Sequence, residues 1–580
     1  MRLRICLVTP FSWSQPHEVN EHVRGVAGGL RRLGHSVTVL APSSRAGDLL
    51  AGRRALQRGD LAETIAIGPA LPTSLSNRVG LPVGVRANLV TALSLGRFDV
   101  VHGFEPGLPS LSLAALLEAG STTVGTFSSA ERLGYPARKN QRDRLLARLD
   151  ALVATSAETA RAAGERFPGD YTVVSPGVDL ERLEPRAKRK LIAVETAAPH
   201  TAVGRAVLHA LHSLPGWDAV LVRSSPLASR TTIPRSLAGR ARVRSLVKPE
   251  AREALLGEAA IFVPVPGGSA RLRLEAEASG CAVADPPGLA SQPELAAAAV
   301  ARLADDDELR RRLGEDARRR AELESFDRVA EALEELYTSA VRRRLRAHRR
   351  ETTSDPLADR EWIVADLHMH TRWSHDCSIE PAALLDHAEL EGLGAIAVTD
   401  HNVLGGALET VRLARDRPLT VIAGEEVKTD DQGEVIGLFL SEEIPRGMSF
   451  AETVAAIREQ QGIVYVPHPF DRMHAIPAPA TLHRHLAEID VLEVYNARLL
   501  FEAYNDEALR FQRKYELLAG AGSDAHVLQG LGTGALRLRR FEGPEEFLLS
   551  LRTAEVLRRP KSLAYLQSLK WVAQVKEKVR

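Results

Sequence analysis

The segment DLHMHT, residues 366–371, sets the architecture of the last third of this 580-residue chain. It continues the apolar run 363–367, which is typical of a buried strand. Because alternate residues of a strand point to the same side, His368 and His370 can both reach one ion where that strand ends. We therefore predict a metal-binding position at this point of the chain, and Asp376 follows in the next loop.

Five more apolar runs downstream also end in side chains that bind metal ions. These runs and the residues that follow them are 395–399 with Asp400 and His401, 419–423 with Glu425 and Glu426, 463–467 with His468, 491–495 with Asn496, and 517–522 with Asp524 and His526. A single histidine at a strand end is usually a structural residue. When strand after strand ends in a ligand, the pattern indicates the mouth of a β/α barrel, because the carboxyl ends of its strands converge there.

The spaced motifs DLHMHT, TDHN, GEE, HPF and GSDAH resemble the PHP (polymerase and histidinol phosphatase) domain of metal-dependent phosphoesterases. The resemblance covers about residues 361–556 and implies a distorted seven-stranded β/α barrel with two or three divalent ions of Mn, Zn or Fe. The ligands that it implies are His368, His370, Asp376, His401, Glu426, His468, Asp524 and His526. The spacing from Gly424 favours Glu426 over Glu425 as the bridging carboxylate. Asn496 stands where the family often has His or Cys, and since an amide is a poorer ligand, we expect two firmly held ions.

The resemblance also implies the chemistry, which is hydrolysis of a phosphate ester. Two ions ~3.5–4 Å apart can share a bridging hydroxide that attacks phosphorus in line. The residues expected to form this catalytic centre are His368, Asp376, His401, Glu426, Asp524 and Arg498. Arg498, Arg472 and Asn496 are the candidates for contact with the substrate, because an arginine can bind phosphate bidentately. For either arginine, a structural salt bridge is the open alternative.

Residues 1–345 alternate short apolar runs with amphipathic helical patterns, which predicts doubly wound parallel sheets. A break near residues 180–190 divides them into two domains, 1–185 and 186–345. The motifs GHSVTVLAP (34–42), DVVHGFEP (99–106), VSPGVD (174–179) and EAEASGCAV (275–283) resemble the retaining GT-B glycosyltransferases of the family-4 type. The resemblance implies two Rossmann-like domains that bind a nucleotide-sugar between them.

The positions that carry the chemistry of that family are altered in this chain. The residues found there are His17 and Glu18 in place of paired glycines, Ser128 in place of a histidine, Thr196 and Thr201 in place of an arginine and a lysine, and Gly267 in place of the first of two glutamates. Because the lost cations would neutralise the departing pyrophosphate, we expect no sugar transfer. We expect this region to bind a nucleotide, a sugar or a phospholipid headgroup, or to act as a dimerisation scaffold. Glu275, the second glutamate, either binds a ribose or is a carboxylate on a helix surface.

The composition of the chain restricts its expected location and binding partners. Lys and Arg number 75 against 74 Asp and Glu, a net charge of +1, which gives no strong signal for nucleic-acid binding. Three scattered cysteines exclude a disulfide framework and fit a reducing compartment. No stretch approaches the ~18 apolar residues of a membrane-spanning helix. We therefore predict a cytoplasmic protein that acts on a small phosphorylated substrate.

Two segments connect or end the predicted domains. Residues 346–360 read as a polar linker between the glycosyltransferase-like region and the barrel. Residues 557–580 read as a basic amphipathic helix. This helix either packs on the protein or makes peripheral contact with an anionic membrane surface.

Three hypotheses for the whole chain follow. The first is a metal-dependent phosphoesterase with an inactive glycosyltransferase-like binding module. The second is an active nucleotide-sugar-dependent glycosyltransferase with an accessory phosphatase. The third is a non-catalytic scaffold, which is disfavoured because burying so many ionisable groups without metal would be costly.

Overall fold

The structure is a computed structural model that describes residues 1–72, 78–80, 85–196, 201–223, 232–245, 248–266, 268–347 and 355–559. Gly267, named above, lies outside these described residues. The chain divides into two compact units. The first contains Met1–Leu145 and Leu149–Val341, and the second contains Leu146–Arg148 and Arg342–Arg580.

The first unit begins with an eight-stranded sheet. Its strands are β1 (Arg4–Val8), β2 (Ser36–Ser43), β3 (Thr64–Pro72), β4 (Arg78–Gly80), β5 (Val100–Phe104), β6 (Thr122–Phe127), β7 (Ala151–Ala154) and β8 (Tyr171–Val173). The order is β4-β3-β2-β1-β5-β6-β7-β8, and every pair except β3–β4 is parallel. The apolar runs are buried on both faces, as expected for parallel strands covered by helices. The order reverses between β1 and β5, where such sheets leave a crevice for ligands.

A second, all-parallel sheet follows in the same unit. Its strands are β9 (Arg189–Thr196), β10 (Asp218–Arg223), β11 (Ala241–Ser245), β12 (Ala259–Val263) and β13 (Ala282–Val283). They are arranged in the order β11-β10-β9-β12-β13. The two sheets confirm the prediction of two Rossmann-like domains in tandem.

Twelve helices of the described residues cover these sheets. They are α1 (Glu18–Arg32), α2 (Ala46–Arg58), α3 (Arg86–Gly96), α4 (Leu111–Glu118), α5 (Lys139–Leu146), α6 (Ala157–Arg166), α7 (Thr201–Leu211), α8 (Pro249–Glu258), α9 (Ala270–Ala278), α10 (Leu295–Asp305), α11 (Asp307–Glu322) and α12 (Phe326–Ala347). The predicted boundaries place α12 with the second sheet, whereas its apolar stripe joins the core of the first. The stripe includes Phe326 and Tyr337, and the Tyr337 hydroxyl lies 2.6 Å from Nδ1 of the buried His102 in β5.

The second unit carries one nine-stranded sheet. Its strands are β14 (Trp362–Met369), β15 (Ala395–His401), β16 (Thr420–Lys428), β17 (Glu434–Leu438), β18 (Ile463–Val466), β19 (Val491–Asn496), β20 (Leu518–Gly522), β21 (Gly534–Arg539) and β22 (Glu555–Arg558). Its helices are α13 (Pro381–Leu390), α14 (Gly405–Leu413), α15 (Phe450–Glu459), α16 (Pro479–Arg484), α17 (Glu502–Tyr515) and α18 (Gly543–Leu551). The sheet order is β20-β19-β18-β17-β16-β15-β14-β21-β22.

Strands β14 to β20 curl into a nearly closed barrel, which confirms the predicted fold class. The end of β14 meets the segment after β20, where the Asp524 amide donates to the His368 carbonyl at 2.8 Å and the His370 amide donates to the Ala525 carbonyl at 3.1 Å. One of these seven strands, β17, was not among the apolar runs found in the sequence. It runs antiparallel to both of its neighbours, which makes the barrel irregular.

The two predicted connecting segments differ from the structure at their edges. Helix α12 continues to Ala347, inside the expected linker 346–360, and Arg360 already pairs with Glu542 at 2.8 Å. The expected C-terminal helix 557–580 starts too early, because 557 and 558 belong to β22, which pairs with β21. Residues 560–580 lie outside the described residues. Within the described part of the chain, no helix is both long and apolar enough to cross a membrane.

Candidate functional site

Strand β14 delivers two histidines to the mouth of the barrel. His368 and His370 are completely buried, and their ring centroids are 5.2 Å apart. Among the described residues, Nε2 of each ring has no hydrogen-bond partner. A buried polar atom without a partner is costly unless something binds it. These two nitrogen atoms therefore fit a site for metal ions.

Glu426, at the end of β16, lies at the centre of the histidines. Its Oε2 is 3.4 Å from Nε2 of His368, 3.5 Å from Nε2 of His370 and 3.0 Å from Nδ1 of His401, and its Oε1 is 3.1 Å from Nε2 of His468. Burial opposes ionisation of this carboxyl group, but the surrounding histidines hold the pKa of Glu426 well below its ordinary value. A buried carboxylate with four imidazoles around it can bridge two cations.

Glu425, the neighbouring carboxylate, faces away from these histidines. Its Oε2 accepts a hydrogen bond from the Ile444 amide at 3.0 Å. Burial raises the pKa of Glu425 to about 7. The two successive residues point to opposite sides of β16, as the period of a strand requires, and only Glu426 reaches the site.

The loop after β20 brings Asp524 and His526 to the same place. Oδ1 of Asp524 lies 3.4 Å from Nε2 of His370, and Nε2 of His526 lies 2.9 Å from Oδ2 of Asp376. The ring centroid of His526 is 4.4 Å from that of His370. Asp524 has φ 51°, a left-handed conformation that a non-glycine residue adopts at some energetic cost. Such strain is typical of a functional site.

All eight residues predicted as ligands meet at this mouth. The groups whose potential ligand atoms lie within 4.8 Å of one another are His370 with His401 and His526, His368 with His370 and Asp524, His368 with Glu426 and His468, and His468 with His474 and Asp524. Asp376 belongs to none of these groups but contacts His526. The mixture of imidazole and carboxylate suits Zn, Mn or Fe.

Three buried carboxylates hold the candidate ligands in place. Oε1 of Glu493 lies 3.1 Å from Nδ1 of His368. Asp400 accepts hydrogen bonds from the Ser374 hydroxyl at 2.7 Å and from the Thr371 backbone and side chain. Asp366 accepts the amides of Ser523 and Gly532, both at 2.9 Å, and burial raises its pKa to about 6. The sequence pattern pointed to Asp400 as a possible ligand at a strand end but assigned no role to Asp366 or Glu493, although each of these two stands within three residues of a candidate ligand or of Asn496.

Of the three residues predicted to contact the substrate, Arg498 and Asn496 lie beside the candidate ligand Asp524. Nη1 of Arg498 lies 3.1 Å from Oδ1 of Asp524 and 2.8 Å from Nδ1 of His526. Burial opposes its charge, but Asp524 raises the pKa of Arg498 above its ordinary value. Asn496 is buried beside the same aspartate, with Nδ2 3.4 Å from Oδ2. Arg472 is half-buried in the loop after β18, and its role stays a prediction.

His474 was missed by the sequence analysis. It lies in the loop after β18, six residues beyond His468, and the two rings stack with centroids 4.4 Å apart. No strand immediately precedes it, so the strand-end rule that found the other ligands passes over it. The nearby Asp471 is the signal that could have revealed it, because a carboxylate often orients a metal-binding histidine.

In the N-terminal region, internal contacts occupy the altered positions. His17 accepts a hydrogen bond from the Val19 amide at 3.2 Å and caps α1. Glu18 pairs with Arg132 at 2.6 Å. The Thr196 hydroxyl donates to a backbone carbonyl in β10 at 3.0 Å. These side chains serve the fold of the region.

Glu275 was expected either to bind a ribose or to lie on a helix surface; it is buried, which contradicts the second alternative, and ribose binding stays a prediction. Glu275 is only 5% exposed and lies 2.7 Å from Nε of Arg252 and 2.9 Å from Nε of Arg271. Glu21 of α1 contacts the same two arginines at 2.5 and 2.9 Å. These four residues line a cavity of about 190 Å³. Nearby, Oε1 of Glu195 accepts the amide of Ser269, the N-cap of α9, at 2.8 Å, where a helix would otherwise offer a site for an external anion.

The fold and the site together define a β/α-barrel protein with a cluster of metal-ligand side chains at its mouth, preceded by a tandem Rossmann-like region. The PHP domain family matches residues 366–515, and the PHP-associated family matches residues 502–556. Glycosyltransferase Family 4 matches residues 19–182. The C-terminal part of the chain therefore contains a PHP domain, and residues 19–182 are similar to Glycosyltransferase Family 4.

Several known proteins are similar to parts of this chain. An uncharacterized protein of Methanocaldococcus jannaschii is 37% identical over 147 residues, which cover 23% of this chain and 82% of that protein. A phosphatidyl-myo-inositol mannosyltransferase of Propionibacterium freudenreichii is 31% identical over 183 residues, covering 31% of this chain and 47% of that enzyme. The solved structure of the pneumococcal O-GlcNAc transferase GtfA is 10% identical, covers 59% of this chain and 100% of that one, and superposes with a TM-score of 0.42.

Proposed function

We propose that this chain is a metal-dependent phosphoesterase that hydrolyses a small phosphate ester. The observation that carries the proposal is the position of Glu426, a buried carboxylate within 3.5 Å of four histidines at one barrel mouth. Four imidazoles around one carboxylate have little structural purpose and suit several cations. When bound, divalent ions supply a hydroxide nucleophile at neutral pH and neutralise charge on the phosphate.

The exposure of the side chains supports one direction of substrate entry. The side chains of His368, His370 and Glu426 are at most 1% exposed, and they form the floor of the site. Those of His401 and Asp376 are 21% and 26% exposed. Phosphate would therefore approach from the side of His401 and Asp376.

Arg498 is the residue best placed to hold that phosphate. Its side chain is 23% exposed and its charge lies next to Asp524 and His526. A guanidinium group can bind two phosphate oxygens at once and orient the ester for in-line attack. We therefore assign Arg498 to substrate binding and keep Arg472 and Asn496 as predictions of the sequence.

Metal analysis and a panel of phosphoesters test the proposal. We expect the purified full chain to bind Mn, Zn or Fe and to hydrolyse at least one ester, and His368→Ala to lose both properties. The matched control is His387→Ala in α13, which removes a half-buried histidine that is not among the candidate ligands. Wild-type protein that neither binds these metals nor hydrolyses any ester would contradict the proposal.

We further propose that the N-terminal region does not transfer sugar. The ion pairs of Glu275 and Glu21 with Arg252 and Arg271, and the carboxylate of Glu195 at the start of α9, support this proposal. An incoming nucleotide-sugar would have to displace these internal partners, and breaking buried ion pairs is costly. Calorimetric titration of the full chain with nucleotide-sugars tests the point, and transfer of sugar to any acceptor would overturn it in favour of an active transferase with an accessory phosphatase.

A further inference from the structure

Asn496 lies beside the candidate ligands, and both ends of its amide make hydrogen bonds within the protein. Its Oδ1 accepts a hydrogen bond from the Arg498 amide at 2.9 Å. Its Nδ2 donates to Oε2 of Glu493 at 3.0 Å and points to Oδ2 of Asp524 at 3.4 Å. The amide nitrogen cannot bind a cation, and the oxygen, which already accepts one hydrogen bond, is a poorer ligand than an imidazole. Asn496 would therefore be a weaker ligand than a histidine or cysteine at the same position.

His474 lies next to the ligands that an ion beside Asn496 would use. One potential ligand atom each of His474, His468 and Asp524 lies within 4.8 Å of the other two. The imidazole rings of His474 and His468 stack at 25°. The loop after β18 thus brings a second imidazole to the ion position beside Asn496.

The orientation of the His474 ring suits a metal ligand. Its Nδ1 lies 2.7 Å from Oδ2 of Asp471, a residue that is only 1% exposed. Oδ1 of Asp471 accepts the Met473 amide at 3.1 Å, so the carboxylate itself is held in place. A carboxylate on one ring nitrogen fixes the tautomer and leaves the other nitrogen as the electron-pair donor. Nε2 of His474 is that donor.

We propose that His474 binds a divalent ion through Nε2, together with His468 and Asp524, at the ion position beside Asn496. The inference rests on the proposed function only in requiring that the barrel mouth binds divalent ions. It gives the ion beside His468 a second imidazole, although the strand-end residue at 496 is an amide. His474 is here a metal ligand and not merely a surface histidine of the loop.

The test measures metal binding by the full chain rather than activity. Cobalt content per chain is determined after equilibration with Co²⁺, and affinity is determined by competition with a chelator. We expect His474→Ala to lose one equivalent of cobalt or to bind it about tenfold or more weakly. The cobalt absorption band should change as well, because the coordination of one ion changes.

His485→Ala is the matched control. His485 also contacts a carboxylate three residues away, Glu488, through Nδ1, but it belongs to none of the groups of potential ligands among the described residues. This variant should keep the wild-type cobalt content and affinity. Thermal unfolding of the metal-free His474→Ala protein should match that of metal-free wild type, which separates loss of a ligand from loss of the fold.

A rescue variant makes the assignment specific. The double variant His474→Ala/Asn496→His has an imidazole at position 496 in place of the one removed at 474. We expect its cobalt content and affinity to match those of the wild type. Wild-type cobalt binding by His474→Ala would overturn the inference, and so would a loss that the second substitution does not restore. Unchanged metal content in His368→Ala would instead contradict the proposed function, so the two failures are distinguishable.

Discussion

Replacing Glu493 by glutamine should weaken the metal site without touching a ligand. The buried carboxylate lies within hydrogen-bond distance of four groups. Its Oε1 faces Nδ1 of His368 at 3.1 Å and the Tyr465 hydroxyl at 2.9 Å. Its Oε2 faces the His468 amide at 2.7 Å and Nδ2 of Asn496 at 3.0 Å. A glutamine keeps the shape but can accept on one side only, so two of these four hydrogen bonds would place a donor against a donor.

The magnitude follows from the two hydrogen bonds that the glutamine cannot accept. Each hydrogen bond to a charged group contributes about 1.5–3 kcal/mol, so the two together amount to roughly 3–6 kcal/mol. Burying a neutral amide costs less than burying a carboxylate, so we expect the lower end, about 3 kcal/mol of unfolding free energy. His368 is also deprived of the partner that orients its ring, which corresponds to about 10- to 100-fold in metal affinity.

Two measurements on the full chain check this prediction. Denaturant unfolding of the metal-free protein reports the stability, and chelator competition reports the metal affinity. Glu459→Gln makes the same chemical change at an exposed position of α15 and should alter neither quantity. If Glu493→Gln keeps the wild-type midpoint and metal affinity, the carboxylate does not orient His368 and the reasoning is refuted.

Three further substitutions test other parts of the structure. The Cβ of Gly406→Ala would lie 2.1 Å from Oδ2 of Asp400, so both metal affinity and the thermal midpoint should fall, whereas Gly164→Ala, with no neighbour within 4 Å, should leave both quantities unharmed. Burial raises the pKa of Glu105 from 4.5 to about 7. The folded protein therefore favours the protonated group, and this contribution to the free energy of unfolding, about 3 kcal/mol, is fully present below pH 4.5 and is lost as the pH rises through 7. Glu105→Gln should remove this contribution to the difference between the urea unfolding midpoints at pH 5 and pH 8. An unchanged difference would show that Glu105 is not its source. Glu21→Gln removes one of the two carboxylates that face the half-buried Arg252 and Arg271 and should cost about 3 kcal/mol in unfolding free energy, while an unaltered midpoint would mean that these ion pairs contribute nothing.

The sequence was a good guide wherever a residue's role depended on its place along a strand. His368, His401, Glu426, His468 and Asp524 each stand at or just past the end of an apolar run, and the ends of barrel strands converge. Their meeting at one mouth could therefore be predicted without coordinates. The alternation of strands and helices likewise predicted both Rossmann-like sheets, because a buried parallel strand is a short, continuous apolar run.

The sequence was a poor guide wherever the outcome depended on distant partners. Strand β17 was missed because its pairing partners, not its own pattern, make it part of the barrel. Helix α12 joins the first sheet because its apolar stripe meets the core around His102. Glu275 could be placed in the ion-pair cluster only once Arg252, Arg271 and Glu21 were known to surround it.

The sequence alone therefore determined the two fold classes and the ligands at the strand ends, because both depend on local periodicity and on the spacing of residues along the chain. Only the tertiary structure decided that both ends of Asn496 are engaged and that His474 lies beside His468. The physical reason is that coordination and hydrogen bonding depend on distances of a few ångströms between residues far apart in the chain. Those distances are set by packing, which no local pattern encodes.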